Sequence, residues 1–284
     1  MRSRTWVLTL QCEDRPRVVA SVTAALADVG GNIAESAQFW DRLTNRFFMR
    51  IAFQSSIHVG EAAVAAALAP IGAAFDMQLS LLDGERVPKI VIMVSRFDHC
   101  LLHLLYQIQV GWLRAEVAAV VSNHEDSRDV AANNGIPFHY WPVDKANRPG
   151  QEEMLLNLLS ADQVDLLILA RYMQVLSDQC SSRLRGRAIN IHHSFLPSFK
   201  GARPYHQAHE RGVKLIGATA HYVTPDLDEG PIIEQETERV THAMSPEDFV
   251  AVGRDVESRV LARAVKLHLE SRVLINGGKT IVFT

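Results

Sequence analysis

Over residues 46–53, Phe47, Met49, Ile51 and Phe53 alternate with Arg46, Phe48, Arg50 and Ala52, the period-two pattern of a strand half covered by a core. Residues 6–12 read as an earlier strand that stops at the turn EDRP (13–16), and 32–40 as another. Between them Val18, Val19, Val22 and Leu26 share one helical face, and Gly30-Gly31 ends that helix. The Ala-rich stretch 61–68 predicts a second helix closed by Pro70 and Gly72, and 75–82 a last strand. The order βαββαβ predicts a ferredoxin-like, split-βαβ domain over residues 1–83.

Past a polar linker, 84–88, the rhythm changes. Continuous apolar runs at 90–94, 117–121, 166–170 and 188–191 suit strands covered on both faces, and 138–143 adds a further strand. Helical spacing lies between them at 101–110, 127–133 and 152–159. This alternation predicts an α/β domain over 89–284, with a Rossmann-like, mostly parallel, doubly wound sheet. Residues 215–223 and 231–238 add two strands joined across TPDLDEG. Ser245-Pro246 opens a long helix with Pro at its first position, and VLINGGKTIVF (273–283) reads as a hairpin around Gly277-Gly278.

Composition narrows the class. Hydrophobic residues make up 48% and charged residues 21% of the 284, enough for full cores. A net charge of -3 gives no electrostatic footprint for nucleic acid or an anionic membrane. No apolar run is long enough to span a bilayer, and the run after MRSR is broken by Thr9 and Gln11, unlike a signal peptide. Cys12, Cys100 and Cys180 form no CxxC pair, which points to a reducing, cytoplasmic setting.

Open parallel sheets take ligands outside the carboxyl ends of their strands, where the run 188–191 delivers NIHH. Asn190 and His192 are two apart, so their side chains leave the same face of a strand. His221 and Asp228 flank the end of a later strand and its loop. A His–Asp pair can take a proton from a nucleophile, and an Asn amide can donate to a developing oxyanion. From spacing alone, turn and capping roles are the commoner reading of these residues. A metal site built from His192, His193, His206, His209 and His221 is the rival reading. No HExxH occurs and no Cys lies among them, so a solvent-facing His-rich loop stands ahead of a metal site and no metal is expected.

NIHHSFLPSFKG and GATAHYVTPDLDEGPIIEQE resemble the folate-dependent formyltransferase family, the fold of glycinamide ribonucleotide transformylase and methionyl-tRNA formyltransferase. The resemblance covers residues 88–284. It implies that Asn190, His192 and Asp228 are catalytic, with His221 supporting. The first 82 residues resemble an ACT module, an amino-acid-sensing and dimerising domain. ACT followed by this fold is the arrangement of the formyltetrahydrofolate deformylases, which SRFDHCLLHLL and LARYMQVLS also resemble.

That family implies hydrolysis of 10-formyltetrahydrofolate to formate and tetrahydrofolate, supplying formate for purine biosynthesis and balancing one-carbon pools, with no cofactor required. The folate would border Arg171, Tyr172, Met173, Val175 and Leu176 and the loop Pro225, Asp226, Leu227, with Lys200 and Arg203 near its glutamate tail. Met173, Val175 and Leu176 also read as plain core. Transformylase holds a substrate phosphate in a Gly-rich loop after its first strand. Here that place is Ser95-Arg96-Phe97-Asp98-His99-Cys100, where Phe97 and Asp98 oppose phosphate and Asp98 also reads as a helix cap. Water is therefore the expected acceptor, with either His192 or Asp228 as base. Two alternatives stay open: transfer to an unphosphorylated amine, and a non-catalytic folate or amino-acid sensor.

In the ACT-like part the resemblance implies a glycine or methionine effector at Asp14, Pro16 and Asn32. The family turn Asp-x-Pro-Gly reads Asp14-Arg15-Pro16-Arg17 here, and Arg17 opposes close approach of an effector. A homodimer or homotetramer is expected, with the strand at 46–53 offering an edge or face for pairing.

Overall fold

The computed structural model describes residues 3–194 and 204–284. They form two compact units: Met1–Arg86 with Glu270–Leu274 and Ile281–Thr284, and Val87–Leu269 with Ile275–Thr280. The domain expected over 89–284 thus yields part of its tail to the first unit.

In that first unit β1 (Ser3–Glu13), β2 (Asn32–Asp41), β3 (Arg46–Ser56) and β4 (Gln78–Asp83) make an antiparallel sheet in the order β2-β3-β1-β4. The helices α1 (Val18–Asp28) and α2 (Glu61–Phe75) complete the βαββαβ order. Alternate residues of β1 and β3 (Trp6, Leu8 and Leu10; Met49, Ile51 and Phe53) meet Val22 and Leu26 of α1 and Val64 and Leu68 of α2 in one core.

Three expectations need correction. First, β3 is covered on both faces: Phe48 and Arg50 are 0% and 4% exposed. The C-terminal segment supplies the cover, since Arg50 Nε donates to the Glu270 carbonyl at 3.1 Å, and Arg50 and Arg272 both pair with Glu35. Second, β3 lies between β2 and β1 and offers no edge; the edges are β2 and β4. Third, α2 runs through Pro70 to Phe75, which shortens the strand expected at 75–82. A proline inside a helix costs about 3 kcal/mol, and packing of Ile71 and Phe75 on the core offsets it.

The second unit holds a seven-stranded sheet in the order β11-β10-β9-β8-β5-β6-β7. Its strands β5 (Lys89–Val94), β6 (Glu116–Ser122), β7 (Phe138–Tyr140), β8 (Leu166–Leu169) and β9 (Ala188–His192) are parallel. The strands β10 (Leu215–Tyr222) and β11 (Ile232–Arg239) are antiparallel additions at one edge. Each residue from Ile90 to Val94 is at most 3% exposed, as the unbroken apolar run requires.

The helices α3 (His99–Gln109), α4 (Arg128–Asn133), α5 (Arg148–Ala161) and α8 (Pro246–Leu269) fall on the predicted segments, with α5 beginning four residues early. Two short helices, α6 (Asp178–Arg183) and α7 (Pro204–Glu210), are too brief for an apolar period to announce. At the start of α8, Ser245 Oγ accepts from the Asp248 N–H at 3.2 Å and Asp248 accepts from the Ser245 N–H at 2.8 Å, a reciprocal cap. The tail forms the expected hairpin of β12 (Val273–Asn276) and β13 (Lys279–Val282). Among the described residues no helix is long and apolar enough to cross a membrane.

Candidate active site

The carboxyl end of β9 meets the neighbouring antiparallel strand in a register that sets His221 opposite Asn190 and Thr219 opposite His192. The pairing brings Asn190 Nδ2 within 3.2 Å of His221 Nε2. His221 Nδ1 faces the Tyr222 carbonyl at 3.0 Å; a carbonyl only accepts, so this nitrogen carries a hydrogen. His221 is thereby fixed in place, and it holds one of the two Asn190 amide hydrogens.

Asp228 arrives from the loop after β10. Its φ of 58° is left-handed, an uncommon conformation outside glycine that clusters at functional sites. Gly230 makes the loop possible: a Cβ there would sit 1.7 Å from the Tyr222 carbonyl oxygen. The loop therefore lies directly against the end of β10. Asp228 Oδ1 reaches His192 Nδ1 at 3.2 Å and His221 Nε2 at 3.7 Å. The bond from His192 holds the carboxyl far below the ordinary range, so Asp228 is an anion. With Nδ1–H of His192 directed at that anion, Nε2 carries the lone pair. This Nε2 is buried and has no hydrogen-bond partner among the described residues.

A second polar group adjoins the first. His193 stacks on His192, with ring centroids 4.9 Å apart and planes 15° from parallel. Arg171 donates from Nη1 to His193 Nδ1, and its Nε lies 3.3 Å from Glu257 of α8. Glu257 also accepts from Tyr205 Oη at 2.6 Å and contacts His99 Nε2 at 2.8 Å. Sequence reasoning missed Glu257. The available signal was an acid four residues from both Gly253 and Leu261, within the buried stripe of α8.

The expected folate-bordering residues separate. Tyr172, Val175 and Leu176 line a small open pocket together with Met93, Trp141 and Leu155. Arg148 and Gln151 line it too, and their buried Nε and Oε1 have no partner among the described residues. The Arg171 side chain turns to Glu257 instead, and Met173, Pro225, Asp226 and Leu227 are exposed and outside this lining. Lys200 and Arg203 lie outside the described residues.

Of the histidines of the metal reading, His192, His193 and His221 lie together beside Asp228, Asn190 and Arg171, while His209 Nε2 faces the Met244 carbonyl at 3.1 Å. Among the described residues, His99, Cys100 and Glu257 are grouped closely enough for one ion. Burial pushes the Cys100 thiol well above its ordinary range, and the Arg171 guanidinium lies beside the carboxylate. Ahead of α3, Asp98 makes no side-chain capping bond, contrary to its reading as a cap. In the first unit Pro16 and Asn32 are exposed and Asp14 half-buried, while Arg17 takes a left-handed φ of 78°, which glycine adopts without cost.

The formyl transferase family pattern matches residues 88–265. The formyltetrahydrofolate deformylase of Bacillus subtilis is 49% identical over 97% of this chain and 93% of its own length. A crystal structure of a formyltetrahydrofolate deformylase from Pseudomonas putida KT2440 superposes with a TM-score of 0.95 at 48% identity, covering 98% of this chain and all of that one. A glycinamide ribonucleotide transformylase from Symbiobacterium toebii reaches 0.66 at 30% identity, covering 72% of this chain and 98% of its own.

Proposed function

We propose, on the premise that the chain belongs to the formyltetrahydrofolate deformylase family, that His192, Asp228 and Asn190 hydrolyse 10-formyltetrahydrofolate to formate and tetrahydrofolate. The observation that carries the assignment is the buried Nε2 of His192, without a partner among the described residues, on a ring whose other nitrogen is bound to Asp228. His192 is the base. Asp228, already an anion bonded to that ring, orients it and stabilises its charge.

Water attacks the formyl carbon and gives its proton to His192 Nε2. The carbonyl oxygen becomes an oxyanion and accepts from the Asn190 amide hydrogen that His221 does not hold. One such donor lowers the barrier by roughly 3–4 kcal/mol. The tetrahedral intermediate collapses, the bond from carbon to N10 breaks, and His192 returns the proton to N10. The pocket at Tyr172, Val175 and Leu176 suits the pterin ring, and the buried polar atoms of Arg148 and Gln151 suit its hydrogen-bonding edge. Water suits the acceptor side because Asp98 places a carboxylate ahead of α3, where a phosphate would be repelled.

The test is formate release by the full chain from 10-formyltetrahydrofolate with no amine added. Turnover that depends on an added amine would instead indicate a transferase. A chelator should leave turnover unchanged, since the proposed chemistry uses only these side chains.

The first unit is assigned an ACT-type role in assembly. Its edge strand β2 exposes Phe39 and Trp40, 44% and 43% accessible, to which a second copy can pair. Trp40→Glu should lower the mass found by light scattering, and an unchanged mass would remove β2 from the interface. Arg17 in the turn favours assembly over glycine or methionine sensing at Asp14, Pro16 and Asn32. Calorimetry with both amino acids should show no binding.

A further inference from the structure

We propose that Glu257 and Arg171 are positioning residues that lock His193 as a neutral imidazole stacked on His192, so that His192 alone carries the proton of the reaction. The proposal rests on the functional reading above and extends it to residues outside the Asn190, His192 and Asp228 set.

The geometry runs in one direction, from the helix to the ring. Glu257 is 1% exposed, and its carboxylate is anchored at one oxygen by Tyr205 and at the other by His99 and Arg171. Gly253 admits this arrangement, since a Cβ there would lie 2.1 Å from the Tyr205 ring. Burial pushes the Glu257 carboxyl up, but the bonds from His99 and Tyr205 and the charge of Arg171 outweigh it and keep the group ionised. Arg171 has a left-handed φ of 65°, which aims an 11% exposed side chain between Glu257 and His193.

A guanidinium has no acceptor atom, so the bond from Arg171 requires a lone pair on His193 Nδ1 and places the ring hydrogen on Nε2. Among the described residues, the charged or titratable groups facing His193 are Arg171, His192, Glu257, Asp228 and Tyr205. Burial first, then the charges of Arg171 and His192, lower its pKa to about 4. A second imidazolium stacked at 4.9 Å would repel the charge that His192 gains when water is deprotonated. Holding His193 neutral removes that opposition.

The test is long-range nitrogen–proton NMR of the full chain with labelled histidine, between about pH 5 and 8. His193 should show the Nε2–H tautomer throughout, without titrating. In Arg171→Met its midpoint should rise by at least about one pH unit towards the ordinary ~6.5. The acid limb of kcat should move up with it, and kcat near pH 6 should fall roughly tenfold, part of the ~10²–10⁴ that acid–base catalysis supplies, with KM little changed. Glu257→Gln removes an anion that favours a charged His193, so the midpoint should stay at or below the wild-type value. If Arg171→Met loses its circular dichroism, Arg171→Lys replaces it, keeping the charge without the planar donor.

An Nδ1–H tautomer, or ordinary titration of His193 in the wild type, overturns the proposal. So does a raised midpoint with an unmoved acid limb. The tautomer is read without substrate, so its failure is distinct from a wild type that releases no formate, which sinks the functional reading and the proposal's link to turnover together.

Discussion

Asp228 and Glu257 each anchor a histidine in the second unit, in contrasting surroundings. Asp228 sits on a strained loop with its side chain 18% exposed, and the ring it binds keeps a bare nitrogen. Glu257 sits within α8, 1% exposed, with both oxygens engaged by Tyr205, His99 and Arg171. A buried carboxylate engaged at both oxygens holds its partners in place, although Arg171 Nε makes no hydrogen bond among the described residues, whereas a bare ring nitrogen beside an anion retains bonding capacity for a ligand. Chemistry is therefore assigned to the Asp228 side and alignment to the Glu257 side.

The sharpest test of that division is Asp228→Asn. Removing the anion while keeping the shape should cut turnover by roughly 10³–10⁴-fold, the scale for an orienting carboxylate, with a lesser loss of stability at neutral pH, where the depressed carboxyl favours the fold. Folate-analogue binding should persist. Near-normal formate release from a folded variant would end the assignment.

Glu257→Gln should show the reverse balance. It leaves Arg171 without a buried counter-charge, which costs about 3–5 kcal/mol in urea unfolding, with a smaller loss of turnover. A variant as stable as wild type would make the cluster dispensable as a support.

Gly230→Ala probes how the Asp228 loop is held. The added carbon overlaps the Tyr222 carbonyl and must shift the loop, and displacement of about 1 Å costs on the order of 10²-fold in turnover. Wild-type kinetics would show that the contact does not place Asp228.

The smallest effect concerns a histidine with no direct carboxylate partner. His268 Nδ1 shares a hydrogen bond with Tyr222 Oη at 2.7 Å, and burial lowers its pKa to about 4. The unfolded chain binds this proton below ~6.5 and the folded chain does not until about 4. Stability should thus fall as pH drops through that window and stay flat above it. His193 adds to the same window. The carboxylates Asp228 and Glu257 have depressed values, so their share is lost only at more acid pH. In thermal melts His268→Gln should flatten the slope between about pH 6.5 and 4; an unchanged slope would assign it to other groups.

Apolar rhythm was enough to read βαββαβ in the first unit and the parallel strands of the second, because burial on one face or both leaves a local trace. It misplaced the end of α2, where packing of Ile71 and Phe75 carries the helix past Pro70. It also read β3 as half-buried, because the cover comes from residues near Glu270, far along the chain. For the site, the spacing of Asn190 and His192 and the loop bearing Asp228 were legible, and the family resemblance singled them out. The Glu257 cluster was not, since His99, Arg171, Tyr205 and Glu257 come from four distant segments with no shared motif.

The sequence by itself determined the strands and the longer helices, the residue types at the end of β9, and the glycine before Pro231. Those follow from local periodicity and from chemistry carried by neighbours in the chain. Tertiary structure decided which nitrogen of His192 is bare, which tautomer His193 holds, and which carboxylate is saturated. Those depend on partners drawn from β10, α3, α7 and α8, and hydrogen-bond direction is settled only when donor and acceptor meet in space.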